Sequence, residues 1–513
     1  MTTAALAADI PGSGDVEALR RQLAAQQQQI EELRQMLAAQ QKLLERLAAP
    51  QAPAGETRPA ATATPSAAIA GARSQPAQSL AQSANPPAGE AKPQASPLSF
   101  RIGNADFTPG GFMDLTSILR STNVGSGIGT SFGGIPFDNV AAGKQSESRF
   151  SAQNSRLTLK VSTNHGASAV TGYLEADFLG NAPANLNVSS NGNTMRMRVY
   201  WLDVQRGNWE VLGGQSWSML TPGRKGISPV PSDLFYTQNV DTNYQVGLVW
   251  TRAPQFRVVY HSKSGWHFGF ALENPQQYVG GGVVLPSFAT SQFDNGSTAG
   301  VPNLHPDIQA KLAYDAKFGG GRTFHIEAAG VLRGFQNVGP SPALAHNTTE
   351  GGAGSLNMNL EVVKNFRLIA TSFYGAGGGR YIFGLGPDAI VRPDGSISLI
   401  HSGAGIGGVE YQVNTKALLY GYYGVAYFGR DYSPSGSTYV GYGFPGASSS
   451  ANRTIQEWTV GYTHTFWKNP HYGAIQLLSQ YSYLERAPWS VPASGPEQAH
   501  AHMLYNNLRF VLP

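Results

Sequence analysis

The 513-residue sequence is rich in glycine and poor in charge, with 61 glycines, 10% aromatic residues and only 13% Asp, Glu, Lys and Arg. This composition is typical of a large, loop-rich β protein and differs from that of soluble α/β proteins. The net charge of +4 is too small to indicate nucleic-acid binding, and the lack of cysteine excludes disulfides and thiolate metal sites. Because no long apolar run occurs, a membrane-spanning chain of this sequence would have to form a closed barrel.

The first residues are similar to the end of a secretion signal. Ala5-Leu6-Ala7 stands before Ala8-Asp9 in an A-x-A-like cleavage pattern, although the basic and apolar regions that normally precede it are missing. We interpret residues 1–14 as the remnant of such a signal and an N-terminal tail.

A heptad pattern occupies residues 15–48. One series of apolar residues repeats every seven positions, and a second series, with two glutamines, follows three positions later. The two series are Val16, Leu23, Ile30, Leu37 and Leu44, and Leu19, Gln26, Leu33, Gln40 and Leu47. The narrow stripe and the polar flanks favour an oligomerising, left-handed α-helical coiled coil over a single amphipathic helix packed on a core.

The segment 49–97 separates this coil from the rest of the chain. It consists mainly of Pro, Ala, Gln, Ser and Gly, with few large apolar residues. Such a segment cannot bury enough apolar surface to offset its chain entropy, so we predict a disordered or extended linker.

From residue 98 to residue 513, alternating apolar and polar residues predict an all-β domain, a transmembrane antiparallel β-barrel of sixteen strands, with eighteen as the alternative. Most predicted strands have about eight to ten residues, close to the length that a tilted strand needs to cross a bilayer. The predicted strands are 112–120, 156–163, 170–178, 195–204, 209–217, 244–262, 266–273, 308–315, 323–333, 356–363, 366–374, 407–413, 416–427, 455–466, 474–484 and 502–512.

The connections between these strands alternate in length. Short turns such as RGN, GGGR and KNPHY alternate with connections of about fourteen to over thirty residues, which is the pattern of periplasmic turns and external loops. The alternation holds only if residues 244–262 form one strand, with Pro254 at a bulge or at the periplasmic end.

The stretch TMRMRVYWLDV, residues 194–204, predicts which side chains face the lumen. Its residues predicted to face lipid are Met195, Met197, Val199 and Trp201, and those predicted to face the lumen are Arg196, Arg198 and Tyr200. The same alternation predicts further lumen-facing cations at Arg156, Lys160, Arg257, Lys311, Arg333, Arg367 and Arg509, and lumen-facing acids at Glu175, Asp177, Glu327 and Glu410. Any one of these side chains could simply be hydrated, but rows of Arg and Lys are typical of pores that prefer anions.

The connection 218–243 follows the fifth predicted strand. We predict that it folds back into the barrel, where its acids could face the basic wall; a surface loop is the alternative. Its charged residues are Arg224, Lys225, Asp233 and Asp241.

The order of coil, linker and barrel, together with NSRLTLKV, YLEADFLG, RMRVYWLDV, GGQSWSML, RAPQFRVVY, ALENP and the terminal LRFVLP, resembles the DcaP-like trimeric porins of Gram-negative outer membranes. The resemblance implies sixteen strands per protomer, a homotrimer in the outer membrane, a periplasmic coil, and uptake of small organic anions such as dicarboxylates. The last residue is Pro513 instead of an aromatic residue, and Phe510 is the nearest candidate for an assembly signal.

Other motifs give no chemical site. The glycine-rich residues 125–134 lack the βαβ context of a phosphate-binding loop, and His500 and His502 lack a third metal ligand nearby in sequence. We therefore predict no catalytic residue, metal or cofactor, and an outer-membrane diffusion channel for small hydrophilic solutes. The alternatives are a phosphate- or sugar-type porin, a tether that contacts peptidoglycan through the coil, and an outer-membrane hydrolase.

Overall fold

The computed structural model describes residues 96–180, 193–296, 300–492 and 494–513, and the structural statements below concern these residues. The predicted coiled coil and nearly all of the predicted linker lie outside them and stay predictions. None of the helices within the described ranges has the length and apolar character needed to span a membrane.

The described chain forms a closed antiparallel barrel of sixteen strands. The short strand β1 (Phe100–Ile102) pairs with the start of β2 (Ala105–Arg120), and two segments that both pair with β2, β3 (Glu147–Ser151) and β4 (Arg156–His165), together make the second barrel strand. The next barrel strands are β5 (Ser168–Asp177), β6 (Arg196–Arg206), β7 (Trp209–Trp217), β8 (Arg252–His261), β9 (Trp266–Glu273), β10 (Asp307–Phe318), β11 (Arg322–Val338), β12 (His346–Val363) and β13 (Phe366–Ala376).

The second part of the chain completes the barrel. Two small hairpins lie in its connections, β14 (Ala389–Val391) with β15 (Ile397–Leu399), and β18 (Asp431–Ser435) with β19 (Thr438–Tyr442). The remaining barrel strands are β16 (His401–Asn414), β17 (Ala417–Phe428), β20 (Asn452–Asn469), β21 (Gly473–Pro488) and β22 (Ala499–Val511). Because β22 pairs with both β21 and β2, the sheet has no open edge, as a β structure in a bilayer requires.

The outer wall is apolar and the inner wall is mixed. On β9, Phe268, Phe270 and Leu272 are exposed, whereas the alternate residues Ala271 and Glu273 are buried. This period of two is expected when one face of a strand contacts lipid and the other faces the interior.

Short and long connections alternate, as predicted. Seven turns of two to four residues lie at one end of the barrel, the short-turn end, and the longer connections lie at the other, the long-loop end. Two of the latter, 339–345 and 489–498, are shorter than predicted because β11, β12, β21 and β22 extend beyond the periodic segments of the sequence.

The prediction of a single strand over residues 244–262 is wrong. β8 begins at Arg252, and Pro254 pairs with Gln215 near the long-loop end without a bulge. Residues 244–251 belong to the preceding connection, where Tyr244 and Gly247 have φ angles of 64° and 88° that an extended strand cannot contain. The alternation of turns survives because the whole segment 218–251 is one connection.

A β-bulge interrupts β6. Glu175 and Ala176, adjacent on β5, pair with Val199 and Met197, so Arg198 has no partner in the ladder. Arg198 and Val199 are consequently both buried although they are consecutive in sequence. An extra residue in one strand shifts the alternation of all residues beyond it.

The bulge inverts the predicted facing of half of this strand. Met195 and Met197 are exposed on the outer wall, in the predicted orientation. Beyond the bulge, Tyr200 is 58% exposed and Trp201 only 4% exposed, so the facing predicted for Val199, Tyr200 and Trp201 is wrong.

Candidate functional site

The connection between β7 and β8, residues 218–251, lies inside the barrel and is called the inner loop. Most of its residues are buried, and the exposed ones lie in the segment 224–233. Its backbone N–H groups donate hydrogen bonds to the opposite wall, from Met219 to Gln309 on β10 (3.2 Å) and from Val246 to Glu457 on β20 (2.9 Å). The inner loop therefore crosses the barrel interior instead of covering the surface.

The inner loop packs tightly where the wall lacks side chains. A Cβ atom at Gly424 on β17 would collide with the carbonyl oxygen of Val246, and Gly247 packs against the backbone of β16 and β17 with a φ of 88°. Glycine is needed at these positions because a methyl group would separate the two backbones.

We expect Gly424→Val to push the inner loop away from β17 and to cost about 1–3 kcal/mol through overpacking. The thermal stability of the purified protein should fall, and its single-channel conductance should become larger or unsteady. Gly407→Val on β16 is the matched control, because a Cβ there meets no atom within 4 Å. Equal effects of the two substitutions would contradict the close packing at Gly424.

The tip of the inner loop is a hairpin. Gly223 and Leu234 form an antiparallel bridge, and the Arg224 backbone N–H donates to the Asp233 carbonyl oxygen at 2.7 Å. The guanidinium of Arg224 then pairs with both carboxylate oxygens of Glu410 on β16, at 2.6 and 2.9 Å. A bidentate pair of this kind fixes orientation as well as distance.

Four arginines and two carboxylates form a cluster beside the inner loop, called the arginine cluster. It consists of Arg156, Arg196, Arg198, Arg252, Glu175 and Asp177. Glu175 pairs with Arg156 at 3.2 Å and with Arg198, while Asp177 pairs with Arg196 at 2.9 Å and with Arg198 at 3.2 Å. Four cations against two anions leave an excess of two positive charges.

Aromatic rings and further donors surround this excess charge. The guanidinium groups of Arg198 and Arg252 lie 5.8 and 5.3 Å from the ring centre of Trp217, which contacts Tyr236 and Tyr244 of the inner loop. Several buried donor atoms here have no hydrogen-bond partner among the described residues: Arg198 Nη2, Arg252 Nη1, Trp217 Nε1, Trp250 Nε1 and Tyr244 Oη. Such a set of donors with net positive charge can stabilise an anion.

Most of the other predicted basic residues are neutralised by wall or loop acids. Arg257 pairs with Glu210 (3.1 Å), Lys311 with Glu327 (2.9 Å), Arg333 with Asp307 (2.9 Å) and Asp388 (2.8 Å), Arg367 with Glu361 (3.8 Å), and Arg509 with Asp114 (2.6 Å). Lys160 and Lys225 differ, since both are exposed and neither has an ion-pair partner within the described ranges. Among the predicted lumen-facing cations, the excess positive charge is thus confined to the arginine cluster, Lys160 and Lys225.

The acids of the inner loop do not face the arginine cluster. The Asp241 carboxylate accepts hydrogen bonds from the Thr130 backbone N–H (3.2 Å) and the Tyr505 hydroxyl (2.5 Å), so it ties the inner loop to β22. Asp233 closes the hairpin through its backbone. The ion pair between the inner loop and the wall has the opposite polarity to the predicted one, since the cation, Arg224, is on the loop and the acid, Glu410, is on the wall.

Sequence reasoning placed Glu327 in the lumen but missed the row of hydrogen-bonded histidines and carboxylates to which it belongs, beside the hairpin. Its members are Glu210, His261, His267, Asp315, His325 and Glu327, on β7 to β11, with successive separations of 2.9, 2.9, 3.2, 2.7 and 3.1 Å. The backbone N–H groups of Gly223 and Gly226 donate to Glu327 (3.0 Å) and Asp315 (2.8 Å). This row therefore anchors the hairpin. In the described part of the chain, no group of three or more His, Cys, Asp or Glu residues is arranged to hold a metal ion.

Arg252 was missed as well, because it lies five residues before the lumen-facing Arg257 and strict alternation therefore assigns it to the opposite face of the strand. The alternation of polar residues around His261, His267 and His325 could have shown that these three histidines face the lumen. A second missed set lies at the long-loop end, where Arg380 and Tyr381 of the connection 377–400 bind the buried carboxylates of Glu273 and Asp307.

Comparison with solved structures assigns the fold. The DcaP outer-membrane channel of Acinetobacter baumannii matches with a TM-score of 0.57 and 18% sequence identity, over 79% of this chain and 98% of that one. The chain has the fold of the DcaP channel. The motifs indicated a resemblance to DcaP-like porins, and the structural comparison confirms it for the fold.

Two more distant porins have similar coverage. An anion-selective porin from Comamonas acidovorans has a TM-score of 0.45 at 13% identity, over 80% of this chain and 100% of that one, and OmpF of Salmonella typhi has 0.41 at 12% identity, also over 80% and 100%. These two scores are too low to establish a shared topology by themselves, in contrast to that of DcaP. No protein-family model matches the sequence, and no curated protein matches it either.

Proposed function

We propose that the protein is an outer-membrane diffusion channel for small hydrophilic solutes that favours organic anions such as dicarboxylates. The observation that carries this proposal is the arginine cluster, which places two excess positive charges and several unpaired donors beside a loop that crosses the barrel interior. A cationic region between low-dielectric walls raises the local concentration of anions. The exposed, unpaired Lys160 and Lys225 add to the same field.

The reversal potential of the purified protein in a planar bilayer with a KCl gradient tests this proposal. We expect anion preference at about 0.1 M salt, where the Debye length is roughly 10 Å, and loss of preference at about 1 M, where it is roughly 3 Å. Liposome swelling with a dicarboxylate, phosphate or a neutral sugar of similar size would then distinguish the solute classes. Cation preference, or a protein that conducts no ions, would reject the anion channel.

We further propose a division of roles along the chain. Residues 15–48 form a periplasmic coiled coil, residues 49–97 a linker, and residues 98–513 the porin domain, assembled as a homotrimer. The heptads support an oligomer, and porin barrels can bury large interfaces of their own.

Deletion of residues 1–97 should leave a trimeric barrel of lower thermal stability, because the coil adds to an association that the barrel already provides. Native mass measurement of the detergent-solubilised, truncated protein checks this. A truncated protein that is monomeric, while the full chain is trimeric under the same conditions, would make the coil the main trimerisation element.

A further inference from the structure

Six of the seven turns at the short-turn end have an exposed basic residue in the turn or within two residues of it. These residues, together called the basic rim, are Arg206, Lys263, Lys317, Lys364, Lys416 and Lys468. No acidic residue occurs within the seven turns. The charges thus lie at six consecutive turns, from the β6–β7 turn to the β20–β21 turn.

No carboxylate of the described residues neutralises the basic rim. Glu361, three residues before Lys364, instead accepts hydrogen bonds from the backbone N–H groups of Thr323 (3.1 Å) and Asn365 (2.9 Å). Asp106 likewise pairs with Arg101 at 2.8 Å. The basic rim therefore has a surplus of about six positive charges.

The long-loop end has a different charge pattern. Several of its surface cations are paired with carboxylates, among them Arg149 with Glu147 at 3.1 Å and Arg392 with Asp431 at 3.2 Å. The cations of the basic rim differ from these in having no ion-pair partner among the described residues.

Exposed aromatic side chains fix the depth of the basic rim. Trp209, Trp266 and Trp467 are 56%, 42% and 39% exposed, and each lies within three residues of a rim cation. Aromatic rings on the outer wall of a barrel occupy the headgroup level of the bilayer. The long Lys and Arg side chains next to them can therefore reach the lipid phosphates while their apolar stems stay on the wall.

We propose that the basic rim binds anionic phospholipids of the periplasmic leaflet, with phosphatidylglycerol as the simplest case. Ammonium and guanidinium groups attract a headgroup with net negative charge, whereas the ammonium group of phosphatidylethanolamine neutralises its own phosphate. The position beside the aromatic rings favours a lipid over a soluble periplasmic partner. This inference requires the barrel to be inserted with its short turns in the periplasm, but it does not depend on what the lumen conducts.

Quenching of tryptophan fluorescence by brominated lipids measures this preference. The full-length protein is placed in bilayers that contain brominated phosphatidylglycerol or brominated phosphatidylethanolamine, and the relative binding is obtained from the two quenching curves. Because each surface cation contributes a factor of up to about five near an anionic headgroup, we expect a several-fold preference for phosphatidylglycerol at low salt. The preference should disappear at about 1 M NaCl.

A variant with all six rim residues changed to Gln should lose the preference, and one with the five lysines changed to Arg should keep it. Folding of both variants is verified by circular dichroism, and a set of single Gln variants replaces the sixfold one if it does not fold. A control with Lys144, Arg149, Arg430 and Arg453 at the long-loop end changed to Gln should behave like the wild type.

Three results would overturn the inference. The wild type could bind both lipids equally, the sixfold Gln variant could keep its preference, or the long-loop control could lose as much preference as the rim variant. A fourth such result could come from sedimentation with purified peptidoglycan. There the sixfold Gln variant would lose binding to peptidoglycan while its lipid preference stayed unchanged. None of these outcomes depends on ion selectivity, so failure of this inference is distinguishable from failure of the proposed channel.

Discussion

Removal of the hairpin at the tip of the inner loop should raise the single-channel conductance by about two- to threefold, because a sixteen-stranded barrel leaves an aqueous channel unless loops fill it. Gly223 and Leu234 are already paired as neighbours in an antiparallel bridge, so an Asn-Gly turn can replace residues 224–233 without moving the rest of the inner loop. The deletion removes the Arg224–Glu410 pair and the hydrogen bond from Gly226 to Asp315.

Planar-bilayer recording of the folded variant measures the effect. Lys225→Gln is the control, because it removes one exposed charge of the hairpin but leaves the hairpin in place, so the conductance should change far less than in the deletion variant. If the folded deletion variant conducts like the wild type, the hairpin does not limit the path of ions.

Arg252→Glu should abolish most of the anion preference. The substitution changes the arginine cluster from an excess of two positive charges to neutrality, and the field of such a cluster acts on ions in the adjacent lumen. Arg252 makes no ion pair with a described carboxylate, so its replacement leaves no buried acid without a partner. Arg252→Lys preserves the charge and should keep the preference.

Arg198→Gln, in contrast to Arg252→Glu, should lower the stability of the protein. Arg198 is fully buried and pairs with both Glu175 and Asp177, so its loss should cost about 3–5 kcal/mol by leaving buried charge uncompensated. Reversal potentials in a KCl gradient and thermal unfolding of each variant separate the two effects. Unchanged selectivity in Arg252→Glu together with normal folding of Arg198→Gln would contradict the role assigned to the arginine cluster.

The barrel could be predicted because its signals are local. A strand such as β9 shows its two faces within eight residues, and a turn such as residues 364–365 between β12 and β13 is visible as a break in the alternation. Sixteen repeats of these signals, with turns of alternating length, determine the topology without knowledge of which residues meet in space.

The errors arose where local signals were ambiguous. The run YQVGLVWT is as apolar as a lipid-facing strand, but residues 244–251 are apolar because they pack inside the barrel. The bulge at Arg198 depends on how β6 pairs with β5, which the sequence of β6 alone does not contain. The pairing of Lys311 with Glu327 likewise follows from the register of β10 and β11, so the predicted cations could be placed but not their neutralisation.

The attachment points of the inner loop also set an order of events during biogenesis. Residues 218–251 are translated before the second half of the barrel, yet Asp241 binds Tyr505 on β22 and the Val240 backbone N–H donates to Gln480 on β21. These partners are the last parts of the barrel to be synthesised. The inner loop therefore reaches its final position only as the first and last strands join, and narrowing of the lumen is completed together with closure of the sheet.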